Sequence, residues 1–269
     1  MKLFPSILLS LLLPLTVTAQ SVQKQDGAIR AEFSVSKSTK VYFSQGNLQY
    51  YPLKNSWRFA KHQFDIVIVG SWIDLFGWGT SGYNHTLPYE YETSTDYSDY
   101  GDGANDIAGT NYDWGVYNKI SNGGKRAGMW RTLTNDEWRY LRYDRTNADA
   151  LYGTATVNGV NGCIFLPDNW TTPTGVTFKC GANGYSVNTY SANEWSKMEA
   201  NGAVFLPAAG YHDGTVVYRV GTYGEYWSST ADGNGYAYNL DFDGNNVETN
   251  FGYSRNYRLS VRLVQDVKK

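Results

Sequence analysis

Residues 224–264 have the sequence GEYWSSTADGNGYAYNLDFDGNNVETNFGYSRNYRLSVRLV, and its patterns decide the fold. Both ends predict β-strands, because residues 226–230 are aromatic and hydroxyl-rich and apolar side chains take every second position of residues 259–263. In the interior, aromatic or large apolar residues alternate with small or polar ones. The first set is Tyr236, Tyr238, Leu240 and Phe242, and the second is Ala237, Asn239, Asp241 and Asp243. Residues 243–246 then predict a turn, since Gly and Asn tolerate a positive φ. We therefore expect half of the segment to lie in a core and half to point away from it.

The half that points away consists almost entirely of Asn, Asp, Tyr, Ser, Gly and Thr. Binding loops favour these residue types because they combine adaptable hydrogen bonding with rigid amphipathic contact area. The same types also dominate ordinary solvated turns. Composition alone favours ordinary turns over a binding surface.

The overall composition is typical of a globular domain with many short strands. A chain of 269 residues, of which 42% are hydrophobic, is long enough to bury a full core. An aromatic share of 16% and 28 glycines favour short strands and turns over long helices. The 23 basic and 25 acidic residues give a net charge of -2 without a basic run, which argues against nucleic acid as a partner.

The N-terminus has the features of a Sec signal peptide over residues 1–19. Lys2 precedes an apolar run at residues 7–13, and small residues precede a cleavage position before Gln20. The run is too short to span a bilayer, and no second hydrophobic span follows. We predict an exported protein without a membrane span after cleavage, in the periplasm, at the cell surface or outside the cell. Residues 20–29 are predicted to be a polar leader and residues 30–267 a single domain.

The irregular passage at residues 77–117 is crowded with Gly, Tyr, Asn and Asp. A structureless loop of this length is unusual in a compact domain, so the passage is predicted to be an insertion that packs on its own aromatic side chains. No cofactor is predicted. Calcium stays an open alternative here, because four carboxylates are of the right ligand type but do not match EF-hand spacing: Asp96, Asp99, Asp102 and Asp106.

Two short helices are predicted from capping boxes. Thr134 and Ser191 are each followed, three residues later, by a glutamate and then by a tryptophan. In this pattern the glutamate accepts a hydrogen bond from the N-cap amide, and the tryptophan turns inward as a core anchor. The alternative is that Glu137 and Glu194 form a catalytic carboxylate pair. It is the weaker interpretation, because capping explains both residues.

The two cysteines, Cys163 and Cys180, allow two interpretations. A disulfide can persist in an exported protein, while free cysteines pack as small hydrophobes. No histidine stands at a spacing typical of a catalytic cysteine or a zinc site.

Five separated motifs occur in the order found in one family: NYDWG at 111–115, GMWRTLTNDEW at 128–138, AVFLPAAG at 203–210, GEYWSST at 224–230 and SVRLV at 260–264. In these motifs the chain resembles C-type lectin-like domains of the formylglycine-generating-enzyme (sulfatase-modifying factor) type. More narrowly, it is similar to exported bacterial proteins of the Fibrobacter succinogenes major paralogous domain type and to variable proteins of diversity-generating retroelements. The resemblance covers residues 33–264. It implies an α+β fold in which two short helices pack on small antiparallel sheets with long ordered loops.

The resemblance implies binding rather than catalysis. Oxidase members bind copper with a C-terminal cysteine pair, and no cysteine follows Cys180. Carbohydrate-binding C-type lectins use Glu-Pro-Asn or Gln-Pro-Asp with Trp-Asn-Asp around calcium, and the chain contains none of these motifs. No nucleophile with a base is recognisable either, so we predict that the chain is not an enzyme.

The diversified members carry variable residues on an invariant scaffold, which implies a variable-type segment at residues 226–264. Random replacement of adenines in Asn codons yields mainly Tyr, Ser, Asp and Gly, which suit a binding surface. Arg258 departs from the pattern, because relatives often carry Gly before the final strand. The implied ligand-binding positions are Asp232, Asn234, Tyr236, Asn239, Asp241, Asn245, Asn246, Glu248, Asn250, Tyr253, Asn256 and Tyr257.

The predicted function is therefore that of an exported, non-catalytic protein that binds an unknown protein or surface glycan through this segment. Trp227 and Leu263 are predicted to anchor the core beneath the binding positions. A structural or adhesive subunit of a bacterial surface assembly is the alternative.

Overall fold

The computed structural model describes residues 25–67, 70–86, 88, 96, 99–233 and 235–268. The predicted signal peptide, the first residues of the leader and Asn234 lie outside the described residues. The described part combines a few short helices with five small β-sheets, which confirms the predicted α+β class. None of its helices is both long enough and apolar enough to cross a membrane.

The strands of the described part are β1 Phe33–Ser34, β2 Lys40–Phe43, β3 Leu48–Tyr51, β4 Ser56–Phe59, β5 Leu75–Phe76, β6 Tyr152–Val157, β7 Val160–Phe165, β8 Thr189–Tyr190, β9 Val204–Pro207, β10 Tyr211–Asp213, β11 Val216–Tyr218, β12 Gly224–Asp232, β13 Tyr236–Phe242, β14 Val247–Ser254, β15 Leu259–Ser260 and β16 Val264–Asp266. The α-helices are α1 Trp114–Tyr117, α2 Asn135–Arg139 and α3 Ala192–Ala200. Short 3₁₀ helices lie at Gln25–Gly27, Pro52–Lys54, Tyr83–His85, Ala148–Ala150 and Tyr185–Val187, and a π-helical turn lies at Tyr140–Asp144.

The largest sheet has the strand order β14-β13-β12-β15-β5. Strands β12, β13 and β14 form an antiparallel meander, β15 runs parallel to β12, and β5 closes the sheet antiparallel to β15. The predicted turn joins β13 to β14, where Asp243 Oδ1 accepts from the amides of Asn245 and Asn246 at 2.6 and 2.9 Å. The C-terminal segment is therefore mainly one sheet. The other sheets have the orders β8-β6-β7-β9, β1-β2-β16, β3-β4 and β10-β11.

Both faces of the five-stranded sheet are covered over much of its length. The cross-strand partners Tyr226 and Leu240 have no exposed surface and belong to one core cluster. The next pair, Trp227 and Asn239, lies on the opposite face, where Trp227 and Ala237 belong to a second cluster. The expectation that half of the segment points away from a core is thus wrong for Ala237 and Asn239, because the alternation separates two buried faces.

Both capping boxes are present. Glu137 N donates to Thr134 Oγ1 at 3.2 Å, and Thr134 N donates to Glu137 Oε2 at 2.9 Å. Ser191 and Glu194 make the same reciprocal pair at 3.3 and 2.8 Å. The tryptophans that follow the two glutamates are buried, as predicted. The boxes therefore place both glutamates at helix N-termini and orient the aromatic anchors.

The packed domain begins before residue 30. Ile29 N donates to the carbonyl oxygen of Phe43 at 2.8 Å, and Gln45 N donates to that of Gly27 at 2.7 Å. Ala28 and Ile29 are buried. The predicted boundary between leader and domain is therefore too late, because the backbone of residues 27–29 pairs with the chain at the end of β2.

Where it is described, the insertion packs on its own aromatic side chains, as predicted. The ring of Tyr83 makes edge contacts with Tyr112 and Tyr117 at centroid distances of 5.2 and 5.5 Å. Trp78 and Trp114 are fully buried. Trp78 Nε1 donates to the carbonyl oxygen of Ser228 at 2.8 Å, which ties the insertion to β12.

One of the carboxylates considered as a calcium ligand has a structural role. Asp106 Oδ1 accepts from the amide of Ala231 at 2.8 Å and so holds the insertion against the end of β12. Within the ranges given above, no three His, Cys, Asp or Glu side chains form a group that could hold a metal ion.

The two cysteines are free thiols in different environments. Cys163 is buried in β7, whereas Cys180 is exposed. Burial raises the pKa of the Cys163 thiol well above its ordinary value. The sequence left a disulfide and free thiols open, and the structure has free thiols, of which only one is buried.

Candidate ligand-binding site

The structure distributes the predicted binding positions over three levels of exposure. Five are exposed: Tyr236, Asn245, Asn246, Glu248 and Asn250. Four are half-buried: Asp232, Asp241, Tyr253 and Tyr257. Asn239 and Asn256 are buried, and Asn234 lies outside the described residues. Most of the described positions are thus accessible at least in part.

The predicted positions also separate into two groups along the sheet. Asn245 and Asn246 lie at the tip of the β13–β14 hairpin, whereas Tyr253 pairs with Ala237 near its open end. At a rise of about 3.3 Å per residue, strand β13 separates these ends by roughly 20 Å. The structure does not bring the two groups together in one site.

Two of the predicted positions are buried, and the prediction that they face a ligand directly is wrong. Asn256 has its Oδ1 engaged by the hydroxyl of Ser254 in the turn before β15. Asn239 has no exposed surface because it lies opposite Trp227 on a covered face of the sheet. Neither Nδ2 nor Oδ1 of Asn239 has a hydrogen-bond partner in the described part of the chain.

The open end of the sheet carries a tyrosine cluster formed by Tyr211, Tyr218, Tyr253 and Tyr257. Tyr211 is at its centre: its ring stacks on Tyr218 and on Tyr257, each at a centroid distance of 5.5 Å. Tyr253 lies 6.0 Å from Tyr211 and 5.8 Å from Tyr257. The side chains thus come from β10, β11, β14 and the turn before β15. Such contacts hold the rings in defined positions and leave part of their surface accessible.

The β10–β11 hairpin supplies two of these tyrosines. It is docked by two backbone hydrogen bonds of 3.0 Å between His212 and Arg258. Gly210, the last residue of the motif at 203–210, has a φ of +67°, and a Cβ there would lie 2.0 Å from the carbonyl oxygen of Tyr218. Only glycine fits this crossing. Arg258, the departure from the family pattern, is therefore the residue against which the hairpin is docked.

A carboxylate pair, Glu225 and Asp241, lies beside the tyrosine cluster. The two residues are cross-strand partners on β12 and β13, so their side chains share a face of the sheet. Glu225 has no exposed surface, and its Oε1 accepts a 3.1 Å hydrogen bond from the Tyr253 hydroxyl. Its Oε2 has no hydrogen-bond partner among the described residues. Glu225 is therefore a buried carboxyl group whose hydrogen bonding is incomplete among the described residues, and Asp241 beside it is half-buried.

Burial and neighbouring negative charges set the ionisation of this pair. Burial, reinforced by Asp241, raises the pKa of Glu225 to about 8, against a smaller lowering by Tyr253 and Arg219. Burial also raises the pKa of Asp241 to about 6, with the negative charges of Asp243 and Glu248 acting in the same direction. Near neutral pH the pair thus holds one proton, mainly on Glu225.

Residues 181–264 match a family model described as a domain of unknown function (DUF8237). No curated protein and no solved structure matches the chain. The matched residues contain the complete tyrosine cluster and the carboxylate pair, together with α3. The match therefore covers the segment that forms the site, and the description of the family assigns no activity.

Sequence reasoning missed Glu225, Tyr211, Tyr218 and Arg219. Glu225 belongs to the GEYWSST motif at 224–230. Its side chain lies on the same face as Trp227, because the two positions are two residues apart, and this face also contains Asn239 and Asp241. A signal for the hairpin is present at residues 214–215, Gly-Thr, which lie between the paired Asp213 and Val216, because Gly at the first turn position is typical of two-residue hairpin turns. That signal predicts the hairpin but not the surface on which it docks.

Proposed function

We propose that this chain is an exported, non-catalytic protein that binds a ligand with the open end of its C-terminal sheet. The observation that carries the proposal is the tyrosine cluster beside two paired carboxylates: Glu225, which is buried, and Asp241, which is half-buried. Three aromatic residues around it are substantially exposed: Tyr218 at 42%, Tyr236 at 45% and Phe251 at 50%. Exposed tyrosines beside buried polar atoms form the type of surface that dominates binding interfaces.

The scaffold that we propose is a C-type lectin-like domain of the formylglycine-generating-enzyme type. Support comes from the ordered motifs, from the short capped helices and from the small antiparallel sheets that they accompany. The non-catalytic role is supported by Glu137 and Glu194, because each carboxylate closes a capping box.

Diversification by a retroelement remains part of the proposal. It is supported by the exposed positions Tyr236, Asn245, Asn246, Glu248 and Asn250, which can change with little effect on the core. Asn239 and Asn256 do not support it, because their burial restricts substitution. A reverse transcriptase gene beside the coding gene, with a template repeat that matches residues 226–264 except at adenines, would be the expected genomic arrangement. Absence of both would remove diversification and leave the binding role.

The binding role is tested with the processed protein on arrays of surface glycans and of proteins. We expect at least one ligand whose binding is lost in Tyr257→Ala and retained in Asn245→Ala. Tyr257 belongs to the tyrosine cluster, whereas Asn245 is exposed in the turn that joins β13 to β14. Equal loss in both variants, or in neither, would refute the proposed location of the site.

A structural or adhesive subunit is the second candidate, and strand β14 favours it. This eight-residue strand is an edge of the five-stranded sheet and carries the exposed side chains of Asn250 and Phe251. An edge strand offers unpaired backbone groups to a further strand. Purification of the protein in a polymer of fixed stoichiometry, dissociated by Phe251→Lys, would favour assembly over binding of a free ligand.

A further inference from the structure

The face of the sheet beneath the tyrosine cluster contains several polar atoms without partners. Glu225 Oε2 and both amide atoms of Asn239 lack hydrogen bonds within the described ranges, and neither residue has exposed surface. Both side chains belong to the same face of β12 and β13 as Asp241. Buried polar groups are rarely left unsatisfied, so a cluster of them beneath one surface indicates a missing partner.

The charge of this face determines the kind of partner that fits. Glu225 and Asp241 are both carboxylates. No cationic side chain of the described residues forms an ion pair with either of them. The cation that acts on both carboxylates, Arg219, is exposed, and its guanidinium lies 4.2 Å from the ring centre of Tyr223 and 6.0 Å from that of Tyr211. The electron-rich faces of Tyr211, Tyr253 and Tyr257 also attract a positive charge.

We propose that this surface binds the guanidinium or ammonium group of a basic side chain from a partner protein, held by Asp241 and Glu225 and enclosed by the tyrosine cluster. This inference rests on the proposed binding function and names the ligand class. Asp241 is half-buried and makes the first contact. Glu225 has no exposed surface, and its Oε1 accepts from the Tyr253 hydroxyl, so a direct contact with Oε2 requires side chains at this surface to move.

The ionisation of the pair links binding to pH. The charged and titratable groups that face Glu225 are Asp241 from β13, Tyr253 from β14, Tyr257 from the following turn and Arg219 from the end of β11. Near neutral pH Glu225 holds a proton, and a bound cation favours its carboxylate form. The proton passes to the buffer on binding. Binding should therefore tighten as the pH rises from about 6 to about 8.5, while an arginine or lysine ligand keeps its charge.

The test uses two peptides that differ in charge alone: N-acetyl-glycyl-arginyl-glycinamide and its citrulline counterpart. Citrulline has nearly the shape of arginine without the positive charge. Titration of the processed protein, followed by NMR shifts of the tyrosine rings, should give binding about tenfold or more tighter for the arginine peptide. Calorimetry in buffers of different ionisation enthalpy should detect the released proton.

Variants locate the cation. In Asp241→Asn the preference for arginine over citrulline should disappear, and in Glu225→Gln the preference should lose its pH dependence. Asp149→Asn is the matched control, because it removes an exposed carboxylate on another part of the surface. Equal affinity for both peptides, or an arginine preference that survives Asp241→Asn, would refute the inference.

The outcome also separates this inference from the binding function itself. One outcome is that neither peptide binds when its concentration is raised to about 10 mM, which is near the weakest association that the titration can measure. If an array ligand is nevertheless lost in Tyr257→Ala, the proposed function stands and the cationic ligand class is wrong. If no array ligand depends on Tyr257 while the arginine peptide binds wild-type protein and not Asp241→Asn, the cation site stands without the wider interface.

Discussion

The hydroxyl of Tyr253 donates a 3.1 Å hydrogen bond to Oε1 of Glu225, a carboxyl group without exposed surface. This bond lowers the pKa of Glu225, whereas burial and the charge of Asp241 raise it to about 8. Tyr253→Phe removes the donor and should therefore raise the pKa of Glu225 further. NMR titration of the carboxyl carbon measures the change. Tyr218→Phe, in the same cluster but without this bond, is the control, and an equal pKa in both variants would contradict the prediction.

Folding stability should decrease as the pH rises from about 5 to about 8.5. Burial raises the pKa of Glu225 to about 8, of Asp74 to about 7, and of Asp113 and Asp241 to about 6. Because these values exceed those of the unfolded chain, about 4, the stabilising contribution is complete below the unfolded pKa. It is then lost as the pH rises through each folded pKa.

Each such group contributes a slope of at most about 1.4 kcal/mol per pH unit. Urea unfolding across this pH range measures the slope for the wild type and for Glu225→Gln. The variant should have the shallower slope between about pH 5 and pH 8, since its amide does not titrate. A slope of the opposite sign in the wild type would show that other groups dominate.

Trp227 should be far more important for stability than the polar residues of the same segment. Its side chain is fully buried, and its Nε1 donates to the carbonyl oxygen of Phe76 at 2.6 Å. Trp227→Ala should lower the free energy of unfolding by about 3 to 5 kcal/mol, because it leaves a cavity. Asn246→Ala, at an exposed position, should change it by less than about 0.5 kcal/mol. Chemical denaturation compares the two, and comparable losses would place Asn246 in the core network.

Asn239→Leu is expected to keep or raise stability. Both amide atoms of Asn239 are buried, and neither has a hydrogen-bond partner in the part of the chain that the structure describes. The wild-type side chain therefore bears a desolvation cost that an apolar side chain of similar size avoids. A gain of about 1 kcal/mol in the free energy of unfolding is expected. A loss above about 2 kcal/mol would mean that the amide is satisfied by ordered water.

The two thiols should differ in their reaction with a thiol reagent such as DTNB. Cys180 is exposed and should react in the folded protein, whereas the buried Cys163 should react only after unfolding. The expected result is one equivalent of reactive thiol in native buffer and two in denaturant. Cys180→Ser should abolish the native reaction. No reaction in denaturant without reductant would mean that the two cysteines form a disulfide.

The features that depend on short-range interactions could be predicted from the sequence. The two capping boxes join groups three residues apart, and the turn at residues 243–246 is closed by Asp243 through its own neighbours. Propensity and spacing act over these distances, so Trp138 and Trp195 could also be predicted to be buried. The α+β class follows from the same short elements.

Which polar residues face solvent and which groups form the site depends on long-range packing, and local patterns do not predict it. Side chains alternate along a strand, so the sequence of β13 predicts that Asn239 and Leu240 lie on opposite faces of the sheet. It does not predict what covers each face. The insertion and the β10–β11 hairpin cover one face, and they come from sequence positions distant from β13. The same reason explains why three residues of the site, Glu225, Tyr211 and Tyr253, lie close together. Their proximity depends on pairing between strands that are distant in the sequence, which local patterns do not predict.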